Sequence, residues 1–221
     1  MRTDELIKQS VVYELSRDTR VDASKIEVTV DDGRVTLTGE APTLLGKSAA
    51  TDDALAILGV IEVNNMMVVK YPSSIRVPTD AEVTSNVLMK LAGSPDIDVL
   101  DLEVAVDAGV VTLRGTVDAY WKRSFVENLV APEAGVVFIE NHVAVTPTDE
   151  VLDKAIAEDI VASLEARALV NADDIEVSVS SGVVELSGSV PDWAARQAAA
   201  NAAYHTAGVR SLQNNLLISR L

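Results

Sequence analysis

The sequence predicts an α+β fold of three tandem α-β-β-α-β repeats, each a three-stranded sheet covered by two helices on one face. Three observations predict it. Hairpin-like segments recur at 26–39, 102–115 and 175–188. Landmarks outside the hairpins keep the same offsets: Leu15, Leu91 and Leu164; Gly59-Val60, Gly135-Val136 and Gly208-Val209; Asn65, Asn141 and Asn214. Within each copy the hydrophobic period changes from helical to alternating and back, in the same order. Gly39 to Gly115 is 76 residues and Gly115 to Gly188 is 73, so the copies run over 3–70, 79–146 and 151–219.

Each copy opens with a helix. Leu6, Ile7, Val11, Val12 and Leu15 lie on one face at three-to-four spacing, as do Val83, Val87, Leu88 and Leu91, and Ile156, Ile160, Val161 and Leu164. Thr79 with Glu82 has capping-box spacing at the start of the second copy. Two alternating strands follow. Ile26, Val28, Val30, Val35 and Leu37 point one way, and Glu27, Thr29 and Thr36 the other. Asp32-Gly33, Ala108-Gly109 and Ser181-Gly182 sit at the turns, where glycine supplies positive φ at little cost.

A second helix comes next, at 44–58 in the first copy and about 194–205 in the third. Pro132 should end the second copy's helix near Ala131. Each copy closes on a strand: Met66-Met67-Val68-Val69, His142-Val143-Ala144-Val145 and Asn215-Leu216-Leu217-Ile218. The linker at 71–78 carries a proline near each end and should be extended and stiff. Units of this size are marginal alone, so packing between copies is expected. Met66, Val68 and Leu217 point outward and are candidates for it.

Composition narrows function by exclusion. The 221 residues carry 18 basic and 34 acidic side chains, a net charge of −16. The copies share the charge, with −5 in 3–70, −7 in 79–146 and −6 in 147–221. Such a chain repels phosphate backbones, and with 4% aromatics it lacks base-stacking platforms, so no nucleic-acid partner is expected. With no cysteine, a disulfide framework, a zinc-thiolate site or a cysteine nucleophile is impossible. No stretch approaches the roughly 18 apolar residues of a transmembrane helix. The first residues, Met1-Arg2-Thr3-Asp4-Glu5, are acidic where a signal peptide needs a basic region. A cytoplasmic protein is expected, or a periplasmic one if a leader has been removed.

The repeated pattern resembles the BON domain, named for bacterial osmotically inducible and nodulation-associated proteins. The residues that carry the resemblance are the apolar first helix, Val35-Thr36-Leu37-Thr38-Gly39, Gly59-Val60 and Asn65. Val111-Thr112-Leu113-Arg114-Gly115, Gly135-Val136 and Asn141 repeat them, as do Val184-Glu185-Leu186-Ser187-Gly188, Gly208-Val209 and Asn214. The resemblance implies a non-catalytic module associated with osmotic and envelope stress, with proposed binding to phospholipid surfaces. It also implies a potassium ion as a possible ligand, since one single-copy relative binds potassium. It carries no catalytic residues.

Side-chain chemistry agrees with a binding role. No G-x-S-x-G, phosphate-loop or dinucleotide fingerprint occurs. His142 and His205 fall in different copies and read as structural or surface histidines. Asp96, Asp98, Asp101 and Asp107 have a faint calcium-loop spacing, but Asp101 stands where that loop needs glycine; they read as solvated loop acids. A potassium site made of backbone carbonyls would leave no trace in side chains. The interface-like patches are Tyr120-Trp121 followed by Lys122-Arg123, and Trp193 with Arg196. Aromatics beside bases suit a membrane interface or a protein partner, but large aromatics more often cap a small core. The expected protein is a non-enzymatic, stress-associated binding module for a macromolecular partner or a phospholipid surface. The alternatives are a cation sensor and, less favoured, an enzyme lacking any visible nucleophile–base pair.

Overall fold

The computed structural model describes residues 3–148 and 151–219. The first repeat comprises α1 (Asp4–Arg17), β1 (Ile26–Asp31), β2 (Arg34–Ala41), α2 (Leu44–Leu55), β3 (Glu62–Asn65) and β4 (Val68–Val69). The second comprises α3 (Asp80–Ala92), β5 (Leu102–Asp107), β6 (Val110–Val117), α4 (Tyr120–Val130) and β7 (Phe138–Val145). The third comprises α5 (Asp153–Glu165), β8 (Ile175–Ser180), β9 (Val183–Val190), α6 (Trp193–Tyr204) and β10 (Ser211–Ile218). The α-β-β-α-β order therefore holds three times.

In each sheet the second strand of the hairpin is central. β1 pairs antiparallel with β2, and β3 and β4 pair parallel with β2. In the third repeat β9 takes β8 antiparallel and β10 parallel. A parallel neighbour needs a crossover, which the second helix supplies. By density of contacts the chain divides into two compact units. One is Met1–Lys90 with Val104–Thr112 and Asn128–Glu140; the other is Leu91–Glu103 with Leu113–Glu127 and Asn141–Leu221. The middle repeat contributes to both.

The first helices bury a narrower stripe than the sequence suggests. Ile7, Val11 and Leu15 are buried, whereas Leu6 and Val12 are exposed. The same happens at Val83, Val87 and Leu91 against Leu88, and at Ile156, Ile160 and Leu164 against Val161. A helix on a three-stranded sheet touches it along one line of i, i+4, i+8 positions, and flanking residues overhang into solvent. The second helices of the first and third repeats bury small residues instead: Ala49, Ala50 and Ala54, and Ala195, Ala199, Ala202 and Ala203.

The hairpin turns are tighter than one glycine each would allow. Asp32 and Gly33 both have positive φ, at 52° and 78°, and the pattern repeats at Ala108-Gly109 and Ser181-Gly182. This is the two-residue turn whose twist matches the flanking strands. Gly39, Gly115 and Gly188 are required for another reason. A Cβ on Gly39 would lie 2.0 Å from the Lys25 carbonyl oxygen, and one on Gly188 would lie 2.1 Å from that of Asp174.

The last strands depart from the expected bounds. β7 and β10 begin four residues earlier than the alternation shows, because a parallel edge strand takes its register from the central strand. In the first repeat the strand breaks at Met66-Met67; Met67 N–H donates to the Asn65 side-chain oxygen at 3.0 Å, a bond that Val143 and Leu216 also make to Asn141 and Asn214 in the unbroken strands. Met66, Val68 and Leu217 remain 61%, 64% and 71% exposed, so none of them is packed away against another copy as the sequence reading had suggested.

Candidate functional site

Helix α4 opens on all four residues of the first aromatic–basic patch, and they do different things. The Tyr120 ring packs against the third repeat's core and meets the Tyr204 ring edge-on, centroids 5.6 Å apart. Burial pushes its phenol up from the ordinary tyrosine value. Tyr204 O–H donates to the Trp121 carbonyl at 3.1 Å. The Trp121 ring lies 5.5 Å from Phe125, and the Lys122 ammonium stands 5.8 Å from the indole centroid. Lys122 is also paired with Asp118 at 2.8 Å.

Arg123 and Arg196 occupy equivalent positions and do equivalent work. Arg123 donates to the Asn141 carbonyl at 3.2 Å, and the Asn141 amide donates back to the Arg123 carbonyl at 2.9 Å. Arg196 donates to the Asn214 and Leu216 carbonyls at 2.8 and 3.1 Å. Its guanidinium lies 5.0 Å from the Trp193 centroid, and burial lowers its pKa from the usual arginine value. Both arginines thus tie the second helix to the last strand. In the first repeat Asn65 does this, donating to the Lys47 carbonyl and the Thr51 hydroxyl, both at 2.8 Å. Trp121, Lys122 and Trp193 remain half-buried, each with part of its surface open to a partner.

Sequence reasoning missed three groups. Asp4, Asp80 and Asp153 each start a first helix and accept both turn N–H groups of their own hairpin. For Asp153 the bonds come from Ser181 at 2.7 Å and Gly182 at 2.9 Å. Asp4 and Asp80 make the same pairs at 2.8 and 3.0 Å and at 3.0 and 3.0 Å. A constant offset of 28 residues from aspartate to turn was available in the repeat alignment as the clue. Tyr71 and Tyr204 stand outside the repeat pattern and left no such clue. The Tyr71 hydroxyl accepts from Gly135 N–H at 2.9 Å and donates to the Val136 carbonyl at 3.1 Å.

The remaining candidates fall elsewhere. His205 caps the end of α6 with its ring 4.9 Å from Tyr204, and His142 is exposed on β7. Asp98 caps a short 3-10 turn by accepting from Leu100 N–H, Asp101 lies within that turn, and Asp107 ends β5. Among the described residues no three His, Cys, Asp or Glu side chains converge as metal ligands. An open depression of about 610 Å³ in the third repeat has Asp174 as its one ionisable lining residue. No helix among the described residues is long and apolar enough to cross a membrane.

The BON domain matches this chain three times, over 3–71, 79–147 and 152–220. The chain belongs to the BON domain family. Its BON repeats are similar to osmotically-inducible protein Y of Escherichia coli (strain K12), with 30% identity over 143 residues, covering 62% of this chain and 71% of that protein. They are also similar to a 21 kDa hemolysin of Actinobacillus pleuropneumoniae, 27% identical over 114 residues. That match covers 51% of this chain and 59% of the hemolysin, a little under two thirds of its length. Among solved structures, the C-terminal domain of CdsD, a structural protein of the type III secretion system of Chlamydia trachomatis, aligns over 100% of both chains at 13% identity. Its TM-score of 0.27 is too low to bear on the fold.

Proposed function

We propose that this protein is a non-catalytic binding module of the bacterial osmotic-stress response, engaging a macromolecular partner or a phospholipid surface through its BON repeats. The observation that carries the reading is three BON domains in one chain that resembles an osmotically inducible protein. Tandem copies raise effective concentration at an extended surface, so three weak contacts act together. The half-open Trp121–Lys122 pair and Trp193 are the proposed contact points. Tyr120, Arg123 and Arg196 hold them in place rather than bind. An envelope role places the protein in the periplasm, the second of the two locations expected from the sequence.

The test is flotation with phosphatidylcholine vesicles and with phosphatidylglycerol-containing vesicles, read together with tryptophan emission. Phospholipid binding predicts co-flotation, a blue-shifted emission, and loss of both in the Trp121→Ala, Trp193→Ala double variant. The net charge of −16 predicts weaker flotation with the anionic vesicles at low salt. Flotation unchanged in the double variant would remove these residues from the contact. Without flotation on either vesicle, the partner is sought by cross-linking in cells after osmotic upshift. Failure there as well would end the binding reading. Melts in potassium against sodium chloride form a control, because a potassium-selective rise would favour the cation-sensor alternative.

A further inference from the structure

The three repeats serve as internal controls for one another, and one half-buried carboxyl with an enclosed oxygen breaks their pattern. Asp53 in α2 corresponds to half-buried Leu129 in α4 and to buried Ala202 in α6. The position is therefore satisfied by an apolar side chain in two repeats out of three. In the first repeat its Oδ2 is enclosed and accepts no hydrogen bond. A buried acceptor without a donor costs free energy, and more so when it is charged.

Three acids near it make ionisation harder and one arginine eases it. They are Glu14 on α1, Asp18 at the end of α1, Arg20 on the following loop and Asp52 on α2. Arg20 is the one cation among them. Its Nε donates to both Asp18 carboxylate oxygens at 3.0 and 2.9 Å, so its strongest bonds go to Asp18 rather than to Asp53. The equivalents in the other repeats are Lys90, Ser94, Asp96 and Asn128, and Ser163, Arg167, Leu169 and Asn201. Neither set gathers the three acids Glu14, Asp18 and Asp52 that surround Asp53.

We infer that Asp53 makes the α1–α2 packing of the first repeat a proton-responsive joint, tightened when the carboxyl is protonated and loosened when it ionises. The other two repeats, with Leu129 and Ala202 in its place, lack the device. Burial, and next the Asp18 carboxylate, push the Asp53 carboxyl up to about 6. For an acid raised in the fold, stability is greatest while the folded state holds the proton. The contribution of Asp53 declines as pH rises from the unfolded value near 3.8 and is lost above about 6.

The experiment follows the Asp53 carboxyl carbon by NMR in the full chain and, in parallel, compares urea midpoints at a pH of about 4.5 and about 7. The expected carboxyl midpoint is near 6, well clear of exposed aspartates. The Asp53→Asn and Asp53→Leu variants should unfold at higher urea than the wild type at neutral pH. Their gain should shrink at the lower pH. A carboxyl midpoint near 4 overturns the inference, whether or not the variants fold. An equal gain at both pH values also overturns it, because the substitution would then act through packing alone.

Discussion

Asp4, Asp80 and Asp153 show how much one side chain settles in a repeat of this size. Each sits in the first turn of a helix, where a carboxylate also favours the positive end of the helix dipole. Each reaches across to a turn whose two residues have positive φ and whose N–H groups point outward. Hydrogen bonds to a charged acceptor contribute about 1.5–3 kcal/mol when well formed, and less at a partly exposed site. Asp153→Ala should therefore lower stability by about 1–2 kcal/mol in urea melts, with Asp153→Asn intermediate. Gly188→Ala should cost more, about 3 kcal/mol or above, because φ is 124° and the new Cβ meets a backbone carbonyl oxygen that cannot swing away. A thermal melt in which Gly188→Ala matched the wild type would contradict this account of the close approach.

At the scale of elements, the capping box of α3 was legible and its chemistry can be measured. Thr79 N–H donates to the Glu82 carboxylate at 2.8 Å, and Glu82 N–H donates to the Thr79 hydroxyl at 3.4 Å. The bond from Thr79 N–H, and next that from Arg76, hold the Glu82 carboxyl down at about 2. The folded value lies below the unfolded one, so its contribution is present above about 4.5 and disappears as pH falls towards 2. Carboxyl NMR should place the Glu82 midpoint below those of the exposed glutamates, and Arg76→Ala should move it part of the way back while the Thr79 N–H bond remains. Pro132 likewise ended α4 at Val130, next to the expected Ala131. The starts of β7 and β10 were not legible. Their first residues are polar or mixed, and only pairing with a central strand makes them strand.

Across the whole molecule, two tyrosines besides Tyr120 reach beyond their own repeats. Tyr71, on the linker after the first repeat, accepts from Gly135 N–H in the second. Tyr204, in the third, donates to the Trp121 carbonyl in the second. Removing the Tyr71 hydroxyl leaves a partly buried N–H and a carbonyl without that partner, so Tyr71→Phe should cost about 1 kcal/mol. Tyr204→Phe should cost a similar amount while leaving the edge-on contact with Tyr120 in place. Hydrogen exchange at Gly135 provides the check for Tyr71, since that amide should lose protection first. The linker at 71–78 read as a stiff spacer, and Tyr71 shows that its first residue is also an anchor.

The sequence by itself determined the repeat number, the element order, the hairpin turns and the central apolar stripe of each first helix. These follow from local rules of period, chirality and glycine placement, and three copies repeat each clue. Tertiary structure alone decided the rest. Arg123 and Arg196 read as partner-facing charges until their carbonyl acceptors on the last strand came into view, 18 residues away for both. Tyr120 read as an interface aromatic or a cap on a small core, and only the structure shows that the core it covers belongs to another repeat. Asp53 carries no local sign of its position, because nothing in the sequence around it shows that its oxygen is enclosed without a donor. Local patterns set backbone geometry, whereas the role of a polar or aromatic side chain depends on what the fold brings within about 3–6 Å of it.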